Sequence, residues 1–347
     1  MTITVGRHKL KNKVILAPMS GVTDLPCRQV ADRLGCGLVV SEMVASEELV
    51  RARPDVVRRA AGSGLLSPLV VQLAGREPEW MAEGARLAED AGADIIDINM
   101  GCPARQVTTG MSGSALMRDL DHAEKLIRAT VEAASVPVTL KMRLGWDDAT
   151  RNAPELAQRA EAAGIQLLTV HGRTRCQFYK GTADWAAIRD VVDVTNLPVV
   201  ANGDICSIED ADKCLEQSGA DAVMVGRGAN GRPWFLGQLG EWLENGTKPA
   251  DVPFEVQAET ALWHYKEALD HYGEHLGIRI VRKHLGWYID SAAEQAGLKG
   301  SAGLRAFKSE IMPSWNTQKV MDDLARFYEQ LALGTFAGQN EAGEVAA

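Results

Sequence analysis

The stretch "EDAGADIIDIN", residues 89–99, runs from an acidic helix end through a glycine into apolar residues that close on an asparagine. Gly92 suits the left-handed position that closes a helix, and the residues after it read as a short buried strand. The same phrase returns as "RLGCGLVVSE" (33–42), "EAAGIQLLTVH" (161–171) and "EQSGADAVMVGR" (216–227), with Gly35, Gly164 and Gly219 in the closing position. Between these lie "KVILAPM" (13–19), "SPLVVQL" (67–73), "VPVTLKMR" (136–143) and "LPVVANG" (197–203). Eight strands result, separated by helical segments such as 78–91, 121–134, 154–163 and 207–218. Eight units over about 230 residues fit an α/β fold of the (β/α)8 TIM-barrel type. A doubly wound open sheet would place G-x-G-x-x-G after its first strand, and none is there.

The rhythm stops near residue 250. The 97 residues from Asp251 onward hold 11 of the 19 aromatics, and helical spacing takes over, with Ile278, Val281, Leu285 and Ile289 on one face. The expected organisation is a catalytic barrel over 1–245, an all-helical domain over 251–334 and a disordered small-residue tail over 335–347. With 347 residues, 46% of them apolar, the chain can bury a core of that size. No apolar stretch approaches the ~20 residues of a membrane span, and the N-terminus lacks a signal-peptide core, so a cytoplasmic protein is expected. Six cysteines without a C-x-x-C pair argue against a disulfide frame and against a zinc or iron–sulfur site. A net charge of −9 confines any nucleic-acid contact to a local basic patch.

Barrel active sites lie at the C-terminal ends of the strands. Here those ends are polar in succession: Pro18-Met19-Ser20, Ser41-Glu42, Gln72, Asn99, Lys141 with Arg143, His171, Asn202-Gly203-Asp204 and Gly226-Arg227. Such a ring reads as a site. The glycines and Arg227 after the seventh and eighth strands suit a phosphorylated ligand such as FMN, since backbone N–H groups and a guanidinium fork both take phosphate oxygens. Cys102 follows the fourth strand, on the reactive face. A free thiol is mostly protonated at neutral pH, which favours a proton carrier. A nucleophile activated by a spatially close His171, or a small buried side chain, are the other readings. Cys27, Cys36, Cys176, Cys206 and Cys214 are read as buried structural residues. His264, His271 and His275 have spacings that could hold a metal, but a partly exposed polar helix face explains them, and no metal is expected. Arg279, Arg282 and Lys283 share a helix face opposite the apolar stripe; with His284 beside them they read either as a solvated face or as the best phosphate-contact candidate in the tail, and composition does not choose.

The ordered motifs "APMSGVTD" (17–24), "VSEM" (40–43), "QLAG" (72–75), "DINMGCPARQV" (97–107), "GSALM" (113–117), "KMRLGW" (141–146), "VHGRTR" (170–175), "ANGDI" (201–205) and "VGRGANGRPW" (225–234) resemble tRNA-dihydrouridine synthases, most closely the bacterial B-type subgroup. "IRIVRKHLGWY" (278–288) extends the likeness into the tail. The resemblance implies an FMN-binding barrel and a helical domain that together hold tRNA. NADPH would reduce the flavin, which would pass a hydride to C6 of an extruded D-loop uridine. Matched position by position, Cys102 would protonate C5, Pro18, Met19 and Ser20 would line the flavin, and Gln72 and Lys141 would hydrogen-bond its ring. His171, Asn202, Gly203, Asp204, Gly226 and Arg227 would hold the ring edge and phosphate, while Asn99 and Arg143 would reach the uracil or the nearby backbone. Arg105, Arg279, Arg282 and Lys283 would contact RNA, and a monomer is expected. Arg105-Gln106 stands where relatives often carry two lysines, and from 251 onward nine basic residues face fourteen acidic ones. A narrow basic stripe is therefore expected. The rival readings are an FMN-dependent dihydroorotate or dihydropyrimidine dehydrogenase acting on free pyrimidines, and a non-catalytic RNA-binding barrel.

Overall fold

In a computed structural model, which describes residues 3–336, the chain begins with a hairpin that the sequence reading did not anticipate, β1 (Thr4–Val5) and β2 (His8–Lys9). The strands that follow are β3 (Val14–Leu16), β4 (Leu38–Val39), β5 (Val44–Ala45), β6 (Val70–Ala74), β7 (Ile95–Met100), β8 (Val138–Arg143), β9 (Leu168–His171), β10 (Val199–Asn202) and β11 (Ala222–Val225). They pair in parallel in the order β4-β3-β11-β10-β9-β8-β7-β6-β5. A bridge from Val40 to Val70 joins the end of β4 to β6, and the Ser41 N–H donates to the Val70 carbonyl at 3.0 Å. That bridge closes eight strands into a barrel, with β5 a short addition beside β6. All eight expected segments contribute a strand, and the phrase-closing glycines 35, 92, 164 and 219 have φ of +87°, +96°, +99° and +67°. A Cβ is disfavoured in this region, so the punctuation seen in the sequence is conformational.

Side chains alternate along each strand, so one set fills the barrel and the other meets the surrounding helices. Ile15, Leu38, Val70, Ile95, Val200 and Ala222 form the lower interior, and Ile3, Val5 and Leu10 of the hairpin segment join the same cluster. The hairpin plugs the N-terminal end of the barrel with apolar residues. Going up the same strands, the interior turns polar. Register places Gln72 beside Asp97, Asp97 beside Thr139, Asn99 beside Lys141, and Arg143 and Asn202 on either side of His171. The apolar floor thus leaves only the C-terminal end open to chemistry.

The chain divides into two compact units: residues 3–228 with Leu236–Thr247, and Ala229–Phe235 with residues 248–336. The second is built on the helices Phe254–Tyr272, Glu274–Gln295, Ala302–Ile311 and Thr317–Ala332. Ile278, Val281, Leu285 and Ile289 are all buried there, each at most 2% exposed. His264 corrects the sequence reading. Rather than sitting on a partly exposed face it is buried, with Nδ1 3.0 Å from the Tyr288 hydroxyl and its ring 4.6 Å from that of His284, also buried. The tail expected from 335 is corrected at its start, where Phe336 is buried with its ring against those of Phe307 and Phe327; from 337 onward it lies outside the described residues. No helix among the described residues is long and apolar enough to cross a membrane.

Candidate active site

A cavity of about 710 Å³ opens at the C-terminal end of the barrel, within the range of small-molecule sites. Its wall includes every strand-end residue named above from Pro18 to Arg227 except Ser41 and Glu42, which lie behind it. Glu42 accepts from the Gly21 N–H at 2.5 Å and so ties down the turn that carries Pro18, Met19 and Ser20. Thr23 accepts from the Met19 N–H at 2.8 Å, fixing the same turn from within.

On the β6–β7 side, hydrogen bonds run in series. Gln72 Nε2 donates to Asp97 at 2.6 Å, Asn99 Nδ2 donates to Gln72 Oε1 at 2.7 Å, and Asn99 Oδ1 accepts from the Cys102 and Gly101 N–H groups at 2.9 and 3.2 Å. Thr139 also donates to Asp97 at 2.6 Å. The Cys102 carbonyl accepts from Ser114 Oγ at 2.8 Å, so the half-buried thiol is presented by a loop held on both sides.

The opposite wall is cationic. Lys141 Nζ donates to Asn202 Oδ1 at 3.1 Å. Burial pulls its ammonium down to about 8; Arg143 pulls the same way, and Asp97 opposes. Arg143 is buried and donates from Nε to the Gly101 carbonyl at 2.7 Å, and from Nη1 to the Thr174 and Phe178 carbonyls at 3.0 and 2.9 Å. Most of this guanidinium therefore holds loops, with Nη2 the nitrogen not used in these bonds. His171 is driven well below its ordinary value by burial first, then by Arg143, Lys141, Arg173 and Arg227 around it, and is neutral. Gly203, at φ +125°, sits against that ring: a Cβ there would come 2.7 Å from the Ala183 Cβ and 3.4 Å from His171 Nε2.

Asp204, one of the residues expected to hold the ring edge and phosphate, lines the cavity, and its carboxylate accepts from the fully buried Arg173 at 2.5 and 2.9 Å and from the Ala183 N–H at 2.8 Å, which also makes it a loop anchor. Burial works against the charge, but Arg173 and Arg227 hold the carboxyl below its usual range. Arg227, with its side chain 64% exposed, lies 3.5 Å from Asp204 and brings a guanidinium to the cavity wall beside Gly226. The Nδ1 of His171 is buried and has no partner among the described residues. A buried ring nitrogen without a partner, a cavity edged by cations and an exposed arginine on its wall fit a ligand rich in acceptors that carries a phosphate, as FMN does.

The sequence reading missed Asp97, Arg173 and Tyr179. The Tyr179 ring lines the cavity, 5.6 Å from the guanidinium carbons of both Arg143 and Arg227. Arg105 is exposed and outside the cavity wall, where Gln106 appears instead. Of the cysteines read as buried, Cys36 and Cys214 are, and burial pushes each thiol up to about 12. Cys27 is half-buried, whereas Cys176 and Cys206 are exposed, Cys206 on the cavity wall. Arg279, Arg282 and Lys283 belong to the helical unit. Arg279 is exposed, but Arg282 donates to the Pro313 and Ser314 carbonyls at 3.2 and 3.1 Å and lies over the Trp315 ring. No group of three or more His, Cys, Asp or Glu among the described residues is placed to hold a metal ion.

A family model described as dihydrouridine synthase matches residues 15–323. A probable tRNA-dihydrouridine synthase of Rhizobium leguminosarum bv. phaseoli is 53% identical over 333 residues, covering 96% of this chain and 99% of the relative. The tRNA-dihydrouridine synthase B of Vibrio vulnificus is 45% identical over 285 residues, 82% of this chain and 88% of the relative. Among solved structures, 6-hydroxypseudooxynicotine amine oxidase of Pseudomonas geniculata superposes with a TM-score of 0.55 at 12% identity, over 76% of this chain and 52% of the other. A 2-naphthoyl-CoA reductase complex gives 0.52 at 13% identity, over 69% and 51%. This chain spans about half the length of those two solved chains, and the likeness to them is one of fold.

Proposed function

The chain belongs to the dihydrouridine synthase family, and from that membership we propose that it reduces uridine to 5,6-dihydrouridine in the D-loop of tRNA. The cavity residues would hold FMN: Gln72 and Lys141 at the ring, His171 and Asn202 at its edge, and the Gly203 and Gly226 turns with Arg227 at the phosphate. NAD(P)H is the reductant in this reading, and the cytoplasm is where a tRNA substrate is met. When bound, FMN supplies the hydride that adds to C6 of the uracil.

The remaining work falls to the chain itself. Hydride addition at C6 places negative charge on the C5–C4–O4 unit. Arg143 Nη2 and the second Nδ2 hydrogen of Asn99 are the donors left to stabilise it, in a site that burial keeps at low dielectric. Cys102 then gives its proton to C5, and the resulting thiolate recovers a proton from solvent. The added hydride and proton balance the reduction. A uridine inside folded tRNA cannot enter such a cavity unless it is extruded, at a cost of a few kcal/mol. Contacts with RNA shape and backbone offset that cost.

The observation that carries this reading is the convergence of Cys102, Lys141 and His171 on one cavity from three strand ends. Mass spectrometry of tRNA from a deletion strain, complemented with wild type or Cys102→Ala, tests it. Dihydrouridine should vanish from at least one position in the deletion and return only with wild type. Unchanged dihydrouridine in the deletion overturns the function; full restoration by Cys102→Ala overturns the proton-donor role alone. Purified Cys102→Ala should remain yellow with bound flavin.

A further inference from the structure

We propose that Asp97, which does not itself line the cavity, is a positioning residue that orients the Cys102 thiol by setting the polarity of the relay through Gln72 and Asn99. The proposal rests on the proposed function for its kinetic readout and on geometry for the rest. Asp97 is 5% exposed, and burial pushes its carboxyl up, but Gln72 and Thr139 donate to its two oxygens and the nearby Lys141 charge favours the ionised form, which can only accept. Gln72 must therefore turn its NH2 to it, as observed at 2.6 Å. Its carbonyl oxygen is then left for Asn99, whose NH2 donates at 2.7 Å, and Asn99 is left with only its oxygen for the loop. That oxygen meets the Gly101 and Cys102 N–H groups, which can only donate. The two ends of the relay, an obligate acceptor and a pair of obligate donors, demand the same orientation of both amides.

An amide is nearly symmetric in shape, so packing alone does not choose between its two orientations. If either amide turns over, like groups face each other in a dry wall, and buried hydrogen bonds go unmade. The carbonyl side of the Cys102 loop is held independently, by Arg143 on Gly101 and Ser114 on Cys102. The amide side depends on Asn99, and through it on position 97. Lys141 lies close enough to Asp97 to feel its charge, which offers the competing explanation that Asp97 acts as a counter-ion.

Two near-isosteric variants separate these roles. Asp97→Asn can accept from Gln72 with its carbonyl oxygen and donate to Thr139 Oγ, an orientation that the Gly101 and Cys102 N–H groups at the other end of the relay still demand, so it preserves the relay and removes the charge. Asp97→Leu removes both. At saturating FMN, Asp97→Leu should lower kcat for dihydrouridine formation about tenfold or more with KM for tRNA within about twofold, because misplacing one reacting group acts on the chemical step. Asp97→Asn should stay within about threefold of wild type. The rate of Cys102 alkylation by iodoacetamide, resolved by peptide mass spectrometry, should shift in Asp97→Leu and not in Asp97→Asn. Equal losses in both variants, or wild-type behaviour of Asp97→Leu, overturn the proposal. If Asp97→Leu does not fold, Gln72→Met cuts the relay one station on, and an unaltered alkylation rate there overturns it too. The alkylation arm reads the loop even in a protein that makes no dihydrouridine, so failure of the function and failure of the relay remain distinct.

Discussion

Lys141 is the residue whose surroundings change it most usefully. An ordinary lysine keeps its charge to a pH of about 10.5, but burial and the adjacent Arg143 bring this one to about 8. The ammonium form is the one that donates to Asn202 and can serve an electron-rich ligand, and it is lost as pH rises through that value. Flavin affinity of the apoprotein should therefore weaken above about pH 8, and Lys141→Met should bind more weakly but without that dependence; titration by flavin fluorescence reads both. Gln72, Asn99, Lys141, His171 and Asn202 were legible in the sequence because a strand has a period of two and its C-terminal end is where a barrel works. Asp97 was not. It sits two residues before the strand end in "DIIDIN", and nothing in a linear reading shows that its partners come from β6 and β8.

At the level of elements, the loop after β9 is held by two buried side chains, Arg143 on its first half and Arg173 on its second. Arg173 is 1% exposed, and besides Asp204 it donates to the Lys180 and Gly181 carbonyls at 3.1 and 2.7 Å. Arg173→Met removes the partner of a half-buried carboxylate and of both carbonyls. It should cost about 3 kcal/mol, read as a lower urea midpoint, and should weaken flavin binding because Gly203 and Arg227 flank Asp204. The helix Phe254–Tyr272 has a different vulnerability. Burial brings His264 to about 3, so between that value and the ordinary 6.5 the unfolded chain binds a proton that the folded one refuses. Stability is then full above about pH 6.5 and falls on acidification, by about 3 kcal/mol at pH 4. Hydrogen exchange of the amides in this helix should accelerate over that window, and His264→Leu should flatten the response. The helical character of this region and its apolar stripe were readable from spacing, but the burial of His264 was not, since a polar residue on a helix reads as solvated until its neighbours are known.

For the whole molecule, charge is the governing quantity. A chain with net charge −9 meets a polyanion only through a few local cations, and these are of unequal availability. Arg279 is exposed, whereas Arg282 is engaged by two carbonyls and Trp315 within its own unit. Arg279→Glu should raise KM for tRNA several-fold and make binding less salt-dependent without altering thermal stability. Arg282→Glu should lower the melting temperature of the helical unit as well, which differential scanning calorimetry would show. The sequence by itself determined the alternation of strand and helix, the glycine-closed phrases, the polar ring at the strand ends and the position of Cys102 beyond β7, because these follow from local conformational preference and hydrophobic period. Only the tertiary structure decided which polar groups already satisfy one another. Asp204 became an anchor, Arg143 a brace and Asp97 the end of a relay because barrel closure brings residues far apart in the chain within hydrogen-bond distance, and a buried donor or acceptor must find its partner wherever the fold puts one.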